Sequence, residues 1–131
     1  MKLSHIGIAV EDLEQAERIF SDLLSAEPGH VSEVPDQKIK AMFFPLDDGS
    51  AVELLMPTDS DSPIKKFIEK RGPGIHHLAF VVGNIEKKLE ELKAKGYRLI
   101  DETPRIGATG KKIAFMHPSS TSGVLIELKE E

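Results

Sequence analysis

The sequence contains no cysteine and no tryptophan, and it has a single tyrosine among its 131 residues. Without cysteine, disulfide bonds, thiolate catalysis and cysteine-type zinc sites are all excluded. The few aromatic residues offer little stacking surface for single-stranded nucleic acid. The formal net charge of −5 also argues against a phosphate-backbone binder, which usually has a basic face. We therefore expect no nucleic-acid partner.

Long apolar runs are also missing. No stretch approaches the roughly 20 apolar residues that span a bilayer. The apolar start of the chain meets Glu11 and Asp12 too early to act as a secretory signal. We expect no membrane partner and a cytoplasmic location. With 40% hydrophobic and 30% charged residues, the composition is that of a globular protein, and the length fits a single domain over 1–131.

Hydrophobic periodicity divides the chain into two similar halves. Alternation predicts eight strands, at 3–10, 30–34, 38–45, 51–56, 75–82, 98–100, 113–117 and 123–128. Helical spacing predicts three helices, which follow caps at Asp12, Ser62 and Asn84. The resulting order is β-α-β-β-β, a connecting helix, and β-α-β-β-β again. This internal repeat predicts an α+β fold with module 1 at about 1–57, a connector helix at about 58–73 and module 2 at about 74–131.

Each half has a histidine on its first strand and a glutamate on its last strand. Aligning the halves places His5 over His77 and Glu53 over Glu127. Both glutamates lie in apolar segments, AVELLM and GVLIEL, where a carboxylate is costly to bury unless it is paired or bound to a metal. A structural role is the more common explanation for any one of these residues alone. Their equivalent placement instead predicts a shared site for a divalent cation, provided that the halves pack face to face.

Other polar candidates lie in the second half. His76 precedes His77, so alternation directs the two side chains to opposite sheet faces, and we expect His76 to pack or to support the site. The loop over 104–112 is rich in glycine and basic residues, which can hold phosphate or carboxylate groups. His117, at the end of a strand, is either a residue at the mouth of a binding pocket or a surface histidine.

Several motifs spread over nearly the whole chain carry a family resemblance: HIGIAV at 5–10, GIHHLAF at 74–80, PRIG at 104–107, FMHP at 115–118 and GVLIE at 123–127. Together they resemble the methylmalonyl-CoA epimerases, which belong with glyoxalase I to the vicinal oxygen chelate superfamily. The resemblance implies two paired βαβββ modules that form a cupped mixed sheet around one metal ion, in a homodimer. It also implies interconversion of (R)- and (S)-methylmalonyl-CoA, a step of propionate metabolism.

The resemblance further implies a set of site residues. The metal ligands would be His5, Glu53, His77 and Glu127, and the ion would be Co2+, with Zn2+, Mn2+, Ni2+ or Mg2+ as alternatives. The reaction would remove the α-proton of the thioester and pass through a metal-stabilised enolate. A catalytic glutamate of some relatives aligns with Ala41, which cannot accept a proton. We therefore hypothesise that Glu127 and Glu53 are the two catalytic acid/base residues.

The substrate of that family carries a coenzyme A tail with several phosphate charges. Arg105, Lys111 and Lys112 are the candidates for binding this acyl-CoA substrate, with Gln37 and His117 at the pocket mouth. Two other functions stay open at this point. One is a glyoxalase I-like isomerase acting on a thiol adduct of methylglyoxal, and the other is a metal-free module that binds a small molecule.

Overall fold

The computed structural model describes the whole chain, Met1–Glu131. Its strands are β1 (Lys2–Ala9), β2 (His30–Val34), β3 (Ile39–Pro45), β4 (Ala51–Pro57), β5 (Gly74–Val82), β6 (Arg105–Ile106), β7 (Lys112–Met116) and β8 (Leu125–Glu130). Its helices are α1 (Leu13–Leu24), α2 (Pro63–Arg71) and α3 (Ile85–Ala94). The α+β class and the repeated order of elements are those predicted. None of the helices is both long enough and apolar enough to cross a membrane.

Each helix begins at the cap predicted from the sequence. The cap side chains accept main-chain N–H groups over ordinary hydrogen-bond distances, namely Asp12 from Gln15 at 3.1 Å, Ser62 from Ile64 at 3.2 Å and Asn84 from Lys87 at 3.0 Å. The first amides of a helix have no carbonyl partner within it, so these side chains satisfy donors that would otherwise lack one. The caps therefore fix where each helix starts.

The chain forms two compact units, one of which comprises Ile6–His76. In this unit β2, β3 and β4 form an antiparallel meander. One face of β3 and β4 buries Phe44 and Leu54 against Leu13 and Ala16 of α1. The opposite face packs on α2, where Ile39, Ala41 and Leu55 of the strands form one buried cluster with Ile64 and Ile68 of the helix. Both faces of β3 and β4 are thus packed against helices, which explains why both faces of β4 have apolar residues beside the single charged residue, Glu53.

The other unit comprises Met1–His5 and His77–Glu131. Its strand order is β5-β8-β7-β6, with β5 and β8 parallel and the other neighbours antiparallel, so the sheet is mixed. Helix α3 packs on one face through Ile85 and Leu89, which contact a buried cluster that includes Ala114 and Leu128. The division of the domain into modules at 57 and 73 stays a prediction.

Two strand predictions in the second half are wrong in position. Residues 98–100 do not form a strand, because only Leu99 makes a single bridge, to Met116. Instead β6 lies inside the predicted loop. Beside the Leu99 bridge, Ile100 N–H donates to the Phe115 carbonyl at 2.9 Å and His117 N–H donates to the Arg98 carbonyl at 3.1 Å. The pairing goes no further, because the Phe115 N–H donates to the Asp101 carboxylate at 2.8 Å and not to a main-chain carbonyl. The last strand also begins at Leu125, after a turn in which Gly123 has a φ of 93°.

Candidate metal centre

Three of the predicted ligands meet within the unit formed by Met1–His5 and His77–Glu131. The Nε2 atoms of His5 and His77 lie 3.1 Å apart. Glu127 Oε1 lies 3.5 Å from His77 Nε2 and 3.9 Å from His5 Nε2. All three ligand atoms lie within 4.8 Å of one another. Ligands that are each about 2.1 Å from one ion have separations of roughly 3–4 Å, so this cluster has the dimensions of a metal site.

Strand pairing explains why His77 and Glu127 meet. β5 and β8 are parallel neighbours, and their register pairs His77 with Leu125 and Ala79 with Glu127. Because alternate residues of a strand face the same side, His77, Ala79 and Glu127 share one face of the sheet. Ala79 is fully buried opposite Glu127, and its single methyl group takes little room on that face. The third ligand atom comes from His5 on β1.

Burial controls the electrostatics of the cluster. His5, His77 and Glu127 are 5%, 4% and 7% exposed. Desolvation lowers the pKa of His5 to about 4, and the positive charge of Lys129 acts in the same direction. Desolvation raises the pKa of Glu127 to about 7, which the charges of Lys129 and Arg105 partly offset. A histidine kept neutral and a carboxylate whose charge lacks solvation both favour a bound cation, so the donor set fits a divalent metal.

A contact to the Nδ1 atom of His5 also orients its imidazole ring. Ser4 Oγ lies 3.1 Å from His5 Nδ1. Contacts to the non-ligating nitrogen commonly fix the tautomer and the direction of a metal-binding imidazole. Here the contact leaves Nε2 directed at His77 and Glu127, which is the arrangement that a ligand needs.

The fourth predicted ligand, Glu53, belongs to the unit Ile6–His76. It is 9% exposed on β4 and is paired with Phe43 of β3. Ala41, paired with Leu55, is 2% exposed on the same face of the ladder. Gln37 lies in the same unit, where its main-chain carbonyl accepts the Ser62 hydroxyl at 3.3 Å. The ligand and acid/base roles of Glu53 and the pocket role of Gln37 stay predictions.

Arg105 is the basic-loop residue that lies on the ligand-bearing face. It is paired with Ile113, and alternation along β7 places Phe115 on that same face. The guanidinium carbon of Arg105 lies 5.4 Å from the centre of the Phe115 ring. The same ring meets the His77 ring edge-on, with 6.1 Å between centres. Arg105 is therefore connected to the metal cluster through one aromatic side chain.

The other basic candidates point elsewhere. Lys112 donates to Glu86 of α3 at 2.5 Å, on the helix-covered face of the sheet. Lys111 donates to the main-chain oxygen of Glu131 at 3.3 Å. The Nδ1 atom of His117 accepts the Ser119 N–H at 3.0 Å and so caps a short 3-10 turn. None of these contacts includes a residue of the metal cluster, and the substrate-binding roles of the three residues stay predictions.

Sequence reasoning missed two residues beside the cluster. Lys129 lies two positions after Glu127 on β8, so it shares the same face, and its charge acts on both His5 and Glu127. Phe115 is paired with Glu127 across β7 and β8. The alternation within IELKE was a sufficient signal for Lys129, since it places two ionisable side chains on one face.

Known proteins similar to this chain share its fold. Residues 4–115 match the Glyoxalase/Bleomycin resistance protein/Dioxygenase superfamily. The mitochondrial methylmalonyl-CoA epimerase of Bos taurus is 39% identical over 130 residues, which cover 98% of this chain and 74% of that protein. The crystal structure of methylmalonyl-CoA epimerase from Mycobacterium tuberculosis has 39% identity and a TM-score of 0.91, over 98% of this chain and 86% of that one.

A further solved structure is a methylmalonyl-CoA epimerase in complex with methylmalonyl-CoA and NH4+. It has 32% identity and a TM-score of 0.89, and the match covers 99% of this chain and 94% of that one. These similarities confirm the family resemblance and the glyoxalase-type fold that the sequence predicted. The chain belongs to the Glyoxalase/Bleomycin resistance protein/Dioxygenase superfamily.

Proposed function

We propose that this protein is an enzyme that interconverts the (R) and (S) epimers of methylmalonyl-CoA. The observation that carries the proposal is the buried cluster of His5, His77 and Glu127, whose ligand atoms lie within 4.8 Å of one another. Relatives that match nearly the whole chain are named methylmalonyl-CoA epimerases, and one solved relative holds methylmalonyl-CoA. The chain therefore has a set of side chains suited to binding a metal ion, and it is similar to methylmalonyl-CoA epimerases.

The chemistry requires a group that removes an α-proton. In methylmalonyl-CoA this proton lies between a thioester carbonyl and a carboxylate, and its loss leaves an enolate with negative charge on the thioester oxygen. A divalent ion held by His5, His77 and Glu127 would supply a positive charge where that negative charge develops. The burial of the three side chains keeps water away and strengthens such an interaction.

Glu127 is the proposed acid/base residue on one side of the substrate. Its carboxylate has two oxygens, so one can bind the ion while the other accepts the α-proton and later returns it. Glu53 is its counterpart in the repeat and is the proposed acid/base residue for the other side. Ala41 has no proton-accepting group, which is why the second role is assigned to Glu53.

Further parts of the proposal concern the cofactor and the partners. Nitrogen and oxygen ligands accept several divalent ions, and Co2+ is the proposed one, with Zn2+, Mn2+, Ni2+ and Mg2+ as alternatives. Lys111, Lys112, Gln37 and His117 are kept as candidates for contacts with the coenzyme A portion of the substrate. A homodimer and a cytoplasmic location complete the proposal, on the family resemblance and on the cysteine-free composition respectively.

The proposal is tested by following α-proton exchange in deuterated water. Purified protein is treated with a chelator, divided into samples with and without added Co2+, and incubated with (S)-methylmalonyl-CoA. We expect deuterium to enter the α-carbon and the (R) epimer to appear in the cobalt sample only. Glu127→Gln is the variant expected to abolish both signals, and Glu131→Gln, with an exposed side chain, is its matched control.

Two parallel samples distinguish the other functions. The glutathione adduct of methylglyoxal tests for glyoxalase I-like isomerisation, and product formed from this adduct without exchange of methylmalonyl-CoA would contradict the proposal. Metal analysis of protein purified without chelators tests for a metal-free binding module. Absence of a bound divalent ion, together with no exchange after adding Co2+, would also contradict it.

A further inference from the structure

Arg105 has a side chain held in place by two neighbours. Its Nε atom lies 3.6 Å from Asp101 Oδ1, and its guanidinium carbon lies 5.4 Å above the Phe115 ring. Asp101 is in turn fixed by the Phe115 main chain, because its carboxylate accepts the Phe115 N–H at 2.8 Å. Asp101 and Phe115 therefore already restrict the Arg105 side chain. Because of this, less side-chain conformational entropy is lost when the guanidinium binds an anion.

The contact with Asp101 does not use the outer end of the guanidinium. The ion pair is made through Nε, which is not one of the two terminal nitrogens of Arg105. The side chain is 48% exposed, although it stands on the same sheet face as His77 and Glu127. Two parallel terminal N–H groups match the two oxygens of a carboxylate or phosphate, which a lysine ammonium does not.

Its position relates Arg105 to the reacting end of a bound substrate. The Phe115 ring lies under the guanidinium and also meets the His77 ring. In the β7–β8 ladder, Phe115 is the partner of Glu127. The charge of Arg105 acts on the Glu127 carboxylate. Lys112 and Lys111 lie with Glu86 and the Glu131 main chain, so neither contacts a residue of the cluster.

We propose that Arg105 binds the free carboxylate of the substrate and so selects malonyl-type thioesters over simple acyl thioesters. This inference rests on the proposed function, because it takes methylmalonyl-CoA as the substrate. Propionyl-CoA differs from methylmalonyl-CoA only by the lack of that carboxylate, so a residue that recognises the carboxylate discriminates between the two. Arg105 is a specificity-determining residue in this assignment, and the proton transfers stay with the glutamates.

The test measures binding as well as turnover. Dissociation constants of methylmalonyl-CoA and propionyl-CoA are determined by calorimetry for the Co2+-loaded wild type, Arg105→Gln and Arg105→Lys, with Arg98→Gln as the matched control. We expect Arg105→Gln to weaken methylmalonyl-CoA binding by about 10- to 100-fold while propionyl-CoA binding changes less than about 2-fold. Arg105→Lys should recover only part of the loss, because it restores the charge and not the paired donors. An equal loss for both ligands would overturn the proposal.

A second substrate separates the carboxylate from the phosphates of coenzyme A. Methylmalonyl-pantetheine keeps the carboxylate and the thioester but has no phosphate. If Arg105 binds the carboxylate, the Arg105→Gln loss in kcat/KM is the same for this truncated substrate as for methylmalonyl-CoA. A loss that disappears with the truncated substrate would assign Arg105 to the phosphates instead and overturn the proposal. A wild type that exchanges neither substrate would refute the proposed function, which is a distinguishable result.

Discussion

Phe115 stands directly opposite Glu127 in the antiparallel ladder of β7 and β8, and its ring also meets the ring of His77 edge-on at 6.1 Å. An apolar ring therefore lies beside two of the candidate metal ligands. Such a neighbour cannot solvate the carboxylate, which is consistent with the desolvation that raises the Glu127 pKa to about 7. The guanidinium of Arg105 lies over the same ring. The Phe115 side chain therefore both shields the metal cluster from water and positions the Arg105 cation near that cluster.

The first prediction concerns the affinity for metal. Glu127→Gln removes the carboxylate of the three-residue cluster and leaves the two imidazoles. We expect the affinity for Co2+ to fall by at least about 100-fold, since a neutral amide is a much poorer ligand than a carboxylate. The measurement is competition with a chromophoric chelator at pH 8. Glu131→Gln should bind as the wild type does, and an unchanged affinity in Glu127→Gln would remove Glu127 from the site.

The second prediction concerns protons released on metal binding. Glu127 has a pKa of about 7 in the metal-free protein, so at pH 6 it is largely protonated and must lose that proton to become a ligand. His5, with a pKa of about 4, is already neutral and releases none. We expect Glu127 to release about one proton per ion at pH 6 and almost none at pH 8.5. Calorimetry in buffers of different ionisation enthalpy measures the number, and release that does not decline over this range would contradict the assignment.

The third prediction concerns the stability of the metal-free protein. The pKa of Glu127 is higher in the folded state than the ordinary value of 4.5, so its protonated form favours folding. This contribution is fully present below the unfolded pKa and is lost as the pH rises through about 7. We expect Glu127→Gln, which cannot ionise, to be more stable than the wild type by roughly 2–4 kcal/mol at pH 8.5 and nearly equal to it at pH 4.5.

Urea unfolding in the presence of a chelator measures this difference between variant and wild type at each pH. Comparing the two proteins at the same pH cancels the opposite contribution of His5, whose lowered pKa costs stability as the pH falls from 6.5 towards 4. A difference that does not grow between pH 4.5 and pH 8.5 would show that Glu127 is not desolvated in the folded state.

The fourth prediction tests the core that supports the metal-bearing sheet. Leu89 of α3 is 1% exposed and packs in the cluster with Ala114 and Leu128, whereas Leu23 of α1 is 70% exposed. We expect Leu89→Ala to lower the free energy of unfolding by about 2–5 kcal/mol, because it leaves a cavity. The matched change Leu23→Ala should cost less than about 0.5 kcal/mol. Chemical denaturation measures both, and equal costs would contradict the packing of α3 on β7 and β8.

The sequence was most informative where its two halves repeat. The equivalent positions of His5 and His77, and of Glu127 on a last strand, were enough to predict that these three side chains lie together, as they do in the structure. The same periodicity could not locate β6, because the side chain of Asp101 occupies the Phe115 amide and no local pattern reveals such a contact. Lys112 was predicted to bind the acyl-CoA substrate because its loop is rich in basic residues. Its hydrogen-bond partner, Glu86, is distant in sequence and becomes a neighbour only when α3 packs on the sheet.

The last prediction separates the two proposed acid/base residues. If Glu127 and Glu53 act on opposite sides of the substrate, each exchanges the α-proton of one epimer, and inversion needs both. Glu53→Gln keeps an oxygen ligand but cannot carry the proton, so we expect unchanged metal content and a roughly 100- to 10,000-fold slower inversion. One epimer of methylmalonyl-CoA should still take up solvent deuterium without inverting, and the other should not.

Proton NMR with each pure epimer in deuterated water distinguishes the outcomes. Glu33→Gln, an exposed glutamate on β2, is the control and should behave as the wild type does. Full inversion by metal-loaded Glu53→Gln would place the second acid/base elsewhere. Loss of exchange for both epimers would show that Glu53 acts before the proton is removed, because a residue that only returns the proton leaves the first exchange intact. The two-sided mechanism therefore stands or falls on the persistence of exchange in one epimer alone.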